Sequence, residues 1–170
     1  MPNPHPNDPN PQAERSPAFL LVMTATIVPA INAGVKRALK PGGRFVAEMG
    51  GHGNIAAIQV ALSAVMARHG LAEASRAGNY YPTPTGYSAR LSFQGFQVEQ
   101  ISLIPRPTPL PASGMRGWLT TFRQGVLNSV PEALKETVLS ETVALLEPFL
   151  LSEEGIWTAD YVRLRFRARA

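Results

Sequence analysis

The sequence predicts an α/β fold, and three observations carry that reading. A segment with helical spacing stops at a proline–glycine turn and gives way to a short β-type run, Arg44 to Met49. That run passes through Gly50, Gly51 and Gly53 into a second segment with helical spacing, and the order helix, strand, glycine loop, helix belongs to an α/β sheet. The chain then finishes on DYVRLRFRARA, residues 160 to 170, where apolar residues alternate strictly with arginines at the period of a strand.

Composition narrows the classes. With 170 residues, 45% of them hydrophobic, and a mean hydropathy near zero, the chain is expected to form one soluble globular domain. Its net charge of +4 is a small excess, and no nucleic-acid partner is expected from it. The absence of cysteine excludes a disulfide framework, a thiolate metal site and a Cys nucleophile. His5, His52 and His69 are too scattered for metal-ligand spacing, so no metal is expected.

Residues 1 to 17, MPNPHPNDPNPQAERSP, hold six prolines among Asn, Asp and Gln and are expected to be a disordered tail. The apolar run AFLLVMTATIVPAI follows. It is shorter than the roughly 20 residues of a membrane-spanning helix, so no membrane is expected. Two readings of it stay open. Residues 19 to 28 suit a buried strand or helix, which goes with a cytoplasmic protein. Alternatively the run is a signal peptide, since Val28-Pro29-Ala30 resembles a cleavage site, although Asp8 and Glu14 oppose the positively charged leader such a signal needs.

From Ala33 to Leu39 a short helix is expected, stopping at Lys40-Pro41-Gly42-Gly43 because proline disfavours helical geometry in the residue before it. Arg44 to Met49 follows as a largely buried strand. Asn54 is the expected N-cap of the next helix, in which Ile55, Ile58, Leu62, Val65, Met66 and His69 share a face suited to packing on a sheet and Gly70 closes the last turn. Gly51-His52-Gly53-Asn54-Ile55-Ala56 between strand and helix also fits the dinucleotide pattern G-x-G-x-x-[GA]. That pattern requires a further strand ending in an acidic residue. Glu73 stands near the right distance, but LAEASRAG around it lacks the β-branched run of a strand. The alternative is a strand-to-helix loop whose glycines permit a tight turn.

Phe96 to Ile104 shows a partial alternation and is expected to be a strand covered unevenly. Pro105, Pro107, Pro109 and Pro111 should then hold an irregular extended loop. Met115, Trp118, Leu119, Phe122 and Val126 recur at helical intervals. Ser129 with Glu132 forms a capping box for a further helix whose apolar contacts are Leu134, Val138, Leu145, Leu146, Phe149 and Leu150. In the closing strand Val162, Leu164, Phe166 and Ala168 point one way, and Arg163, Arg165, Arg167 and Arg169 form a solvated face that discourages unwanted sheet pairing.

Several of these blocks carry a resemblance. LKPGGRFV, residues 39 to 46, is similar to the entry into the fifth strand of class I S-adenosylmethionine-dependent methyltransferases. Tyr81-Pro82-Thr83-Pro84 with Tyr87, Leu91 and Gly95-Phe96-Gln97-Val98 resembles the approach to strand six in trans-aconitate-type and related small-molecule methyltransferases, and RPTPLP followed by GWLTTF resembles what comes next. The likeness covers about residues 32 to 169. It implies a partial Rossmann-like sheet, mostly parallel with an antiparallel last strand beside strand six, in a domain spanning 18 to 170. It also implies a helical cap over about 114 to 151 that covers a substrate pocket. In this family the cofactor, S-adenosylmethionine, is held chiefly by earlier strands, whose motifs are absent here. The chain is therefore expected to be the carboxyl-terminal half of such an enzyme, truncated or incomplete and inactive by itself. A non-catalytic interaction module is the alternative, and a dinucleotide-binding protein a further one.

The resemblance and the sheet geometry together place candidate acceptor-side residues. Glu48, His52 and Asn54 lie at or beyond the carboxyl edge of the Arg44 strand, where open α/β sheets bind ligands. His52 is the candidate catalytic base, since imidazole changes charge near neutral pH. Tyr80, Tyr81, Arg106 and Trp118 are candidates for lining the acceptor pocket. Arg106 suits a carboxylate by its forked donors, whereas Trp118 serves equally well as packing. The expected partners are a small-molecule methyl acceptor and, because lost strands would leave a bare sheet edge, a second copy or a completing chain.

Overall fold

The computed structural model describes residues 28–72 and 79–170. The Pro-rich tail, Glu73 and all but the last residue of the element expected over 19 to 28 lie outside the described residues. Helix α1, Val28–Ala38, begins earlier than Ala33. Pro29 is no obstacle there, because the first turn of a helix has no partner for its N–H in any case. Lys36 and Arg37 close α1, where cations suit the helix dipole. The turn expected at Pro41-Gly42-Gly43 follows, with Gly42 at φ +76° and Gly43 N–H donating to the Lys40 carbonyl at 2.8 Å.

Strand β1, Arg44–Gly50, then enters a three-stranded sheet with β2, Gln97–Pro105, and β5, Val162–Arg169. The order is β1-β5-β2, so the last strand lies between the other two and is antiparallel to both. The antiparallel last strand beside Phe96–Ile104 is therefore present. The expectation of a mostly parallel sheet is corrected: among the described residues every ladder is antiparallel, although β1 and β2 run the same way on either side of β5.

One face of the sheet is apolar. Leu164, Phe166 and Ala168 of β5 are buried, with Phe45, Ala47 and Met49 of β1 and Val98, Ile101 and Leu103 of β2 packed around them. The apolar positions of β2 change parity between 98 and 101. A bulge resolves this, because the register slips between Val98 and Gln100 and returns Ile101 and Leu103 to the inner face. Helices α1 and α3, Pro84–Phe93, cover this face through Val28, Tyr87 and Leu91. Phe166 sits at the centre of an aromatic group, its ring centroid 4.8 Å from Phe45 and 5.3 Å from Tyr87. Burying each such ring stabilises the fold by about 2 to 3 kcal/mol. The Tyr87 hydroxyl donates to Asn32 Oδ1 at 3.1 Å, and burial pushes its pKa up to about 12.

Helix α3 has no counterpart in the sequence expectations. Its start is marked by Thr83, whose hydroxyl accepts from Gly86 N–H at 3.1 Å, and by Pro84 in the first turn.

A second core is helical. Helix α2, Ala56–Arg68, packs not on the sheet but on α6, Glu132–Leu150. Joined by α4, Gly114–Phe122, and α5, Gln124–Leu127, they bury Ile58, Leu62, Val65, Met66, Trp118, Leu119, Val138 and Leu146. Gly70, at φ +75°, ends α2 as expected. His69, expected on the apolar face, instead meets Glu141 of α6 at 3.2 Å.

The capping box at Ser129 and Glu132 does not form. Pro131 is the residue before α6, and the Ser129 hydroxyl donates to the Val126 carbonyl at 2.6 Å. Leu145 and Phe149, expected as contacts, are 43% and 79% exposed, because Val138, Leu139, Thr142 and Leu146 set the inward face. The Pro-rich segment is not wholly irregular. Thr108–Pro109 forms strand β3 against β4, Thr158–Ala159, an edge position that tolerates a proline without an N–H. Among the described residues no helix is long and apolar enough to cross a membrane.

Candidate functional site

Because β1 and β2 run together and β5 runs back between them, the loop after β1, the segment after β2 and the segment before β5 meet at one edge of the sheet. Backbone hydrogen bonds stitch them. Gly51 N–H donates to Val162 O at 2.9 Å, Ile55 N–H to Asp160 O at 3.0 Å, and Arg106 N–H to Tyr161 O at 2.7 Å. The glycines are needed for close approach. A Cβ on Gly50 would lie 2.6 Å from Tyr81 Cε1, and one on Gly51 would lie 3.0 Å from Leu164 N. Gly53 takes φ +82°, and Ile55 is the one non-glycine with positive φ among the described residues, at 51°.

Asn54 does not cap α2. Its Oδ1 accepts from Val162 N–H at 2.9 Å, and Ile55 occupies the cap position without a side-chain bond. The cap comes from across the fold: Asp160 Oδ2 accepts from Ala57 N–H at 2.8 Å. Burial raises the Asp160 pKa above the ordinary value, against the pull of the Ala57 N–H, and Oδ1 is buried without a partner. A phosphate at a helix start needs these same N–H groups. Here an internal carboxylate holds the seat, so the glycine pattern at Gly51 and Gly53 is a structural loop.

The seven candidate residues do not form one cluster. Glu48 and Arg106 come together at 2.8 Å, and Glu48 also accepts from Arg165 at 2.8 and 2.6 Å. Burial pushes the Glu48 carboxyl up, but the Arg165 hydrogen bonds and the charges of Arg165 and Arg106 outweigh it and hold the pKa below the usual value. Arg106 is thus engaged by Glu48 rather than free for a ligand. His52 is exposed, and its backbone N–H donates to the Pro82 carbonyl at 2.9 Å. Tyr80 and Tyr81 diverge. Tyr80 packs into the sheet-face core beneath the Arg90 guanidinium at 5.1 Å, while Tyr81 packs into the helical core and its hydroxyl accepts from Asn79 at 2.8 Å. Trp118 is buried and its indole N–H donates to the Tyr161 hydroxyl at 2.6 Å, which ties α4 to the sheet edge.

Three residues here were not singled out by their sequence. Asp160 and Tyr161 connect β4 to β5, and Arg163, already noted in the arginine row, lies 4.4 Å over the Tyr161 ring. Arg123, between α4 and α5, is only 5% exposed. Its backbone N–H donates to Leu119 O and its carbonyl accepts from Val126 and Leu127 N–H, while its side-chain Nε has no partner. Burial pushes the guanidinium pKa down and the nearby Tyr81 phenol draws it back up. No group of three or more acidic or histidine side chains gathers among the described residues.

The arginine row of β5 is solvated but not idle. Besides the Glu48 pair, Arg167 Nε lies 2.7 Å from Glu99, and Arg169 bonds the other oxygen of the same carboxylate.

A fission-yeast protein, an uncharacterized methyltransferase of Schizosaccharomyces pombe, is 34% identical over 146 residues, 82% of this chain and 54% of that protein. The chain spans about half the length of the curated relative it matches. This relationship supports a methyltransferase family. No protein-family model matches. A crystal structure of a candidate methyltransferase from Bacillus halodurans overlaps 84% of this chain and 58% of its own, at 13% identity and a TM-score of 0.45. Phosphoethanolamine N-methyltransferase 2 of Haemonchus contortus, in complex with phosphomonomethylethanolamine and S-adenosylhomocysteine, overlaps 85% of this chain and 30% of its own, at 14% identity and a TM-score of 0.33.

Proposed function

We propose that this chain forms the acceptor-side portion of an S-adenosylmethionine-dependent methyltransferase acting on a small molecule. The observation that carries the reading is the 34% identity to the fission-yeast methyltransferase across 82% of this chain.

The described residues do not fit the cofactor itself. The helix start beyond β1 is filled by Asp160, and Gly50 and Gly51 are closed over by Tyr81 and the β5 backbone, which leaves no cradle for a nucleoside at this loop. Donor binding is therefore assigned to a portion outside the described residues. What these residues supply is position. Transfer of a methyl group depends on aligning acceptor and donor with water excluded. The helices α2, α4, α5 and α6 cover the sheet edge, and the Trp118–Tyr161 bond fixes that cover. His52 stands exposed on the loop beyond β1, where it can take a proton from an acceptor.

Calorimetry and thermal unfolding test this. The chain alone should show no micromolar binding of S-adenosylmethionine; such binding would refute the assignment of the donor site elsewhere. Produced together with a polypeptide that supplies the donor-binding portion, it should be stabilised by S-adenosylhomocysteine. Absence of stabilisation in the completed protein would refute the methyltransferase reading. The outer edge of β1, which pairs only with β5 among the described residues, is where we place contact with that completing portion or a second copy.

A further inference from the structure

We propose that the open face of the sheet, lined by the arginines of β5, is a docking surface for an acidic amphipathic helix of another protein. The proposal does not rest on the methyltransferase reading.

The arginine row guards no edge. β5 is the central strand and both its edges are paired, so Arg163, Arg165, Arg167 and Arg169 have no bare strand to protect. They stand on the face opposite α1 and α3, because Leu164, Phe166 and Ala168 face the core. The register sets Arg44 opposite Arg169, and Arg106 joins the same face through Glu48. Against these six cations the face holds two carboxylates, Glu48 and Glu99, each shared by two arginines. The face therefore has an excess of four positive charges. The whole chain, with 16 basic and 12 acidic side chains, has an excess of the same four. Charge elsewhere cancels, and the imbalance is gathered on one surface.

That surface is incomplete by itself. Arginines two apart on a strand stand about 7 Å from each other, so the row is about 20 Å long. Like charges disfavour the isolated sheet, most of all where Arg44 lies directly opposite Arg169. A guanidinium carries five N–H donors, and one carboxylate shared between two of them leaves donors on both. The side chains of Arg165, Arg167 and Arg169 are 56%, 49% and 51% exposed, within reach of further carboxylates.

A helix matches the row. Four residues of helix rise about 6 Å, close to the spacing of the arginines, and about 14 residues cover its length. Laying a helix on a sheet face is also how α/β layers are covered. Two apolar side chains flank the row and call for an amphipathic partner: Val46, 59% exposed, opposite Arg167, and Ile104, half-buried, opposite Arg163. A single-stranded nucleic acid would need open aromatic rings for its bases. Tyr161, the ring at the end of the row, is covered by Arg163 and its hydroxyl holds Trp118.

The test uses the full chain and three probes of equal negative charge. One is a helical peptide of about 15 residues with glutamates on one stripe and leucines on the next. The second has the same residues shuffled so that no stripe forms, and the third is a single-stranded oligodeoxynucleotide. Calorimetry should show saturable one-to-one binding of the striped peptide, at least about fivefold tighter than either other probe and weakened by added salt. Arg165→Gln combined with Arg167→Gln should weaken it at least about threefold. Val46→Ser should weaken the striped peptide by about threefold and leave the oligonucleotide unchanged. Glu99→Gln releases Arg167 and Arg169 and should tighten binding by about twofold, an outcome opposite to that of a merely structural ion pair. If the double variant fails to fold, Val46→Ser and Glu99→Gln decide. Equal binding of striped and shuffled peptides would reduce the effect to net charge and overturn the proposal. So would preference for the oligonucleotide, or affinities that none of the substitutions moves.

Discussion

Asp160 caps a helix that begins more than one hundred positions earlier in the chain: its Oδ2 accepts the Ala57 N–H at 2.8 Å. The bond joins the segment before the last strand to the start of α2. It thereby fixes the helical layer to the sheet edge and fills the position a bound phosphate would need. Asp160→Ala should destabilise the protein by about 1 kcal/mol, the usual loss when a cap is removed. Asp160→Asn keeps an oxygen acceptor and removes the charge. Burial raises the folded pKa of Asp160 above its unfolded value, so its protonated form is the one folding favours. That contribution is present at acid pH and is lost as pH rises through the folded value. Urea unfolding should find Asp160→Asn at least as stable as the unaltered protein at pH 7, with the difference closing toward acid. A large loss in Asp160→Asn at pH 7 would contradict this account.

The opposite sign applies at Glu48. Arg165 and Arg106 hold its folded pKa below the usual value against the effect of burial, so its contribution is present above the unfolded value and is lost as pH falls through the folded one. Stability of the unaltered protein should drop more steeply below about pH 4.5 than that of Glu48→Gln, by on the order of 1 kcal/mol for this partly exposed pair. Added salt should narrow the difference, since these side chains stand on the open face of the sheet. Acid titration of unfolding at low and high ionic strength checks both statements.

Glycine substitutions separate close approach from backbone strain. Gly50→Ala would place a Cβ 2.6 Å from the Tyr81 ring and 3.0 Å from Asn54 Nδ2, in a packed region that cannot yield freely. It should cost about 1 to 3 kcal/mol and displace the Tyr81 ring. Gly42→Ala meets nothing within 4 Å but sits at φ +76°, so the expected loss is about 1 kcal/mol and confined to the turn. Gly125→Ala meets open space with no positive φ inside α5 and should stabilise by about 0.5 to 1 kcal/mol. Thermal unfolding of the three variants, with near-ultraviolet circular dichroism for Tyr81, gives the ranking. A Gly50→Ala protein as stable as the unaltered one would remove the close-approach argument.

What was legible in the sequence was local. The alternation in DYVRLRFRARA gives β5 and its buried face at Leu164, Phe166 and Ala168, because a period of two leaves no other assignment. The Pro41-Gly42-Gly43 turn and the Gly70 stop also come from residues acting on their own backbone. What escaped depends on distant partners. Asn54 and Ser129 have the right chemistry to cap the helices that follow them, yet one serves Val162 and the other Val126. Asp160 caps α2 from the far end of the chain. The parity change in β2 hides a bulge visible only against β5. Arg123 reads as a surface residue by type, and nothing in TTFRQG marks it as buried. The start of α3 is legible in the sequence, since Thr83-Pro84 is a cap followed by a first-turn proline.

The Trp118–Tyr161 bond carries the last prediction, because it decides whether the helical layer and the sheet edge act as one unit. The indole N–H donates to the Tyr161 hydroxyl at 2.6 Å, and the Trp118 ring also lies 5.4 Å from that of Phe122. Tyr161→Phe removes the acceptor oxygen while leaving the ring beneath Arg163, and it strands a buried N–H. Its cost should be about 1 to 3 kcal/mol. Trp118→Phe removes the donor and leaves a cavity, and should cost as much or more. If the bond is the coupling between the two layers, the double variant should be less destabilised than the sum of the two, by about 0.5 to 1.5 kcal/mol. Hydrogen exchange adds a readout that packing alone would not move. In Tyr161→Phe the amides of α4 should exchange faster relative to those of β5, whose ladder is untouched. Strict additivity, with α4 and β5 protected to the same degree as before, would mean that the cover is held on by its apolar contacts and that the hydrogen bond is incidental.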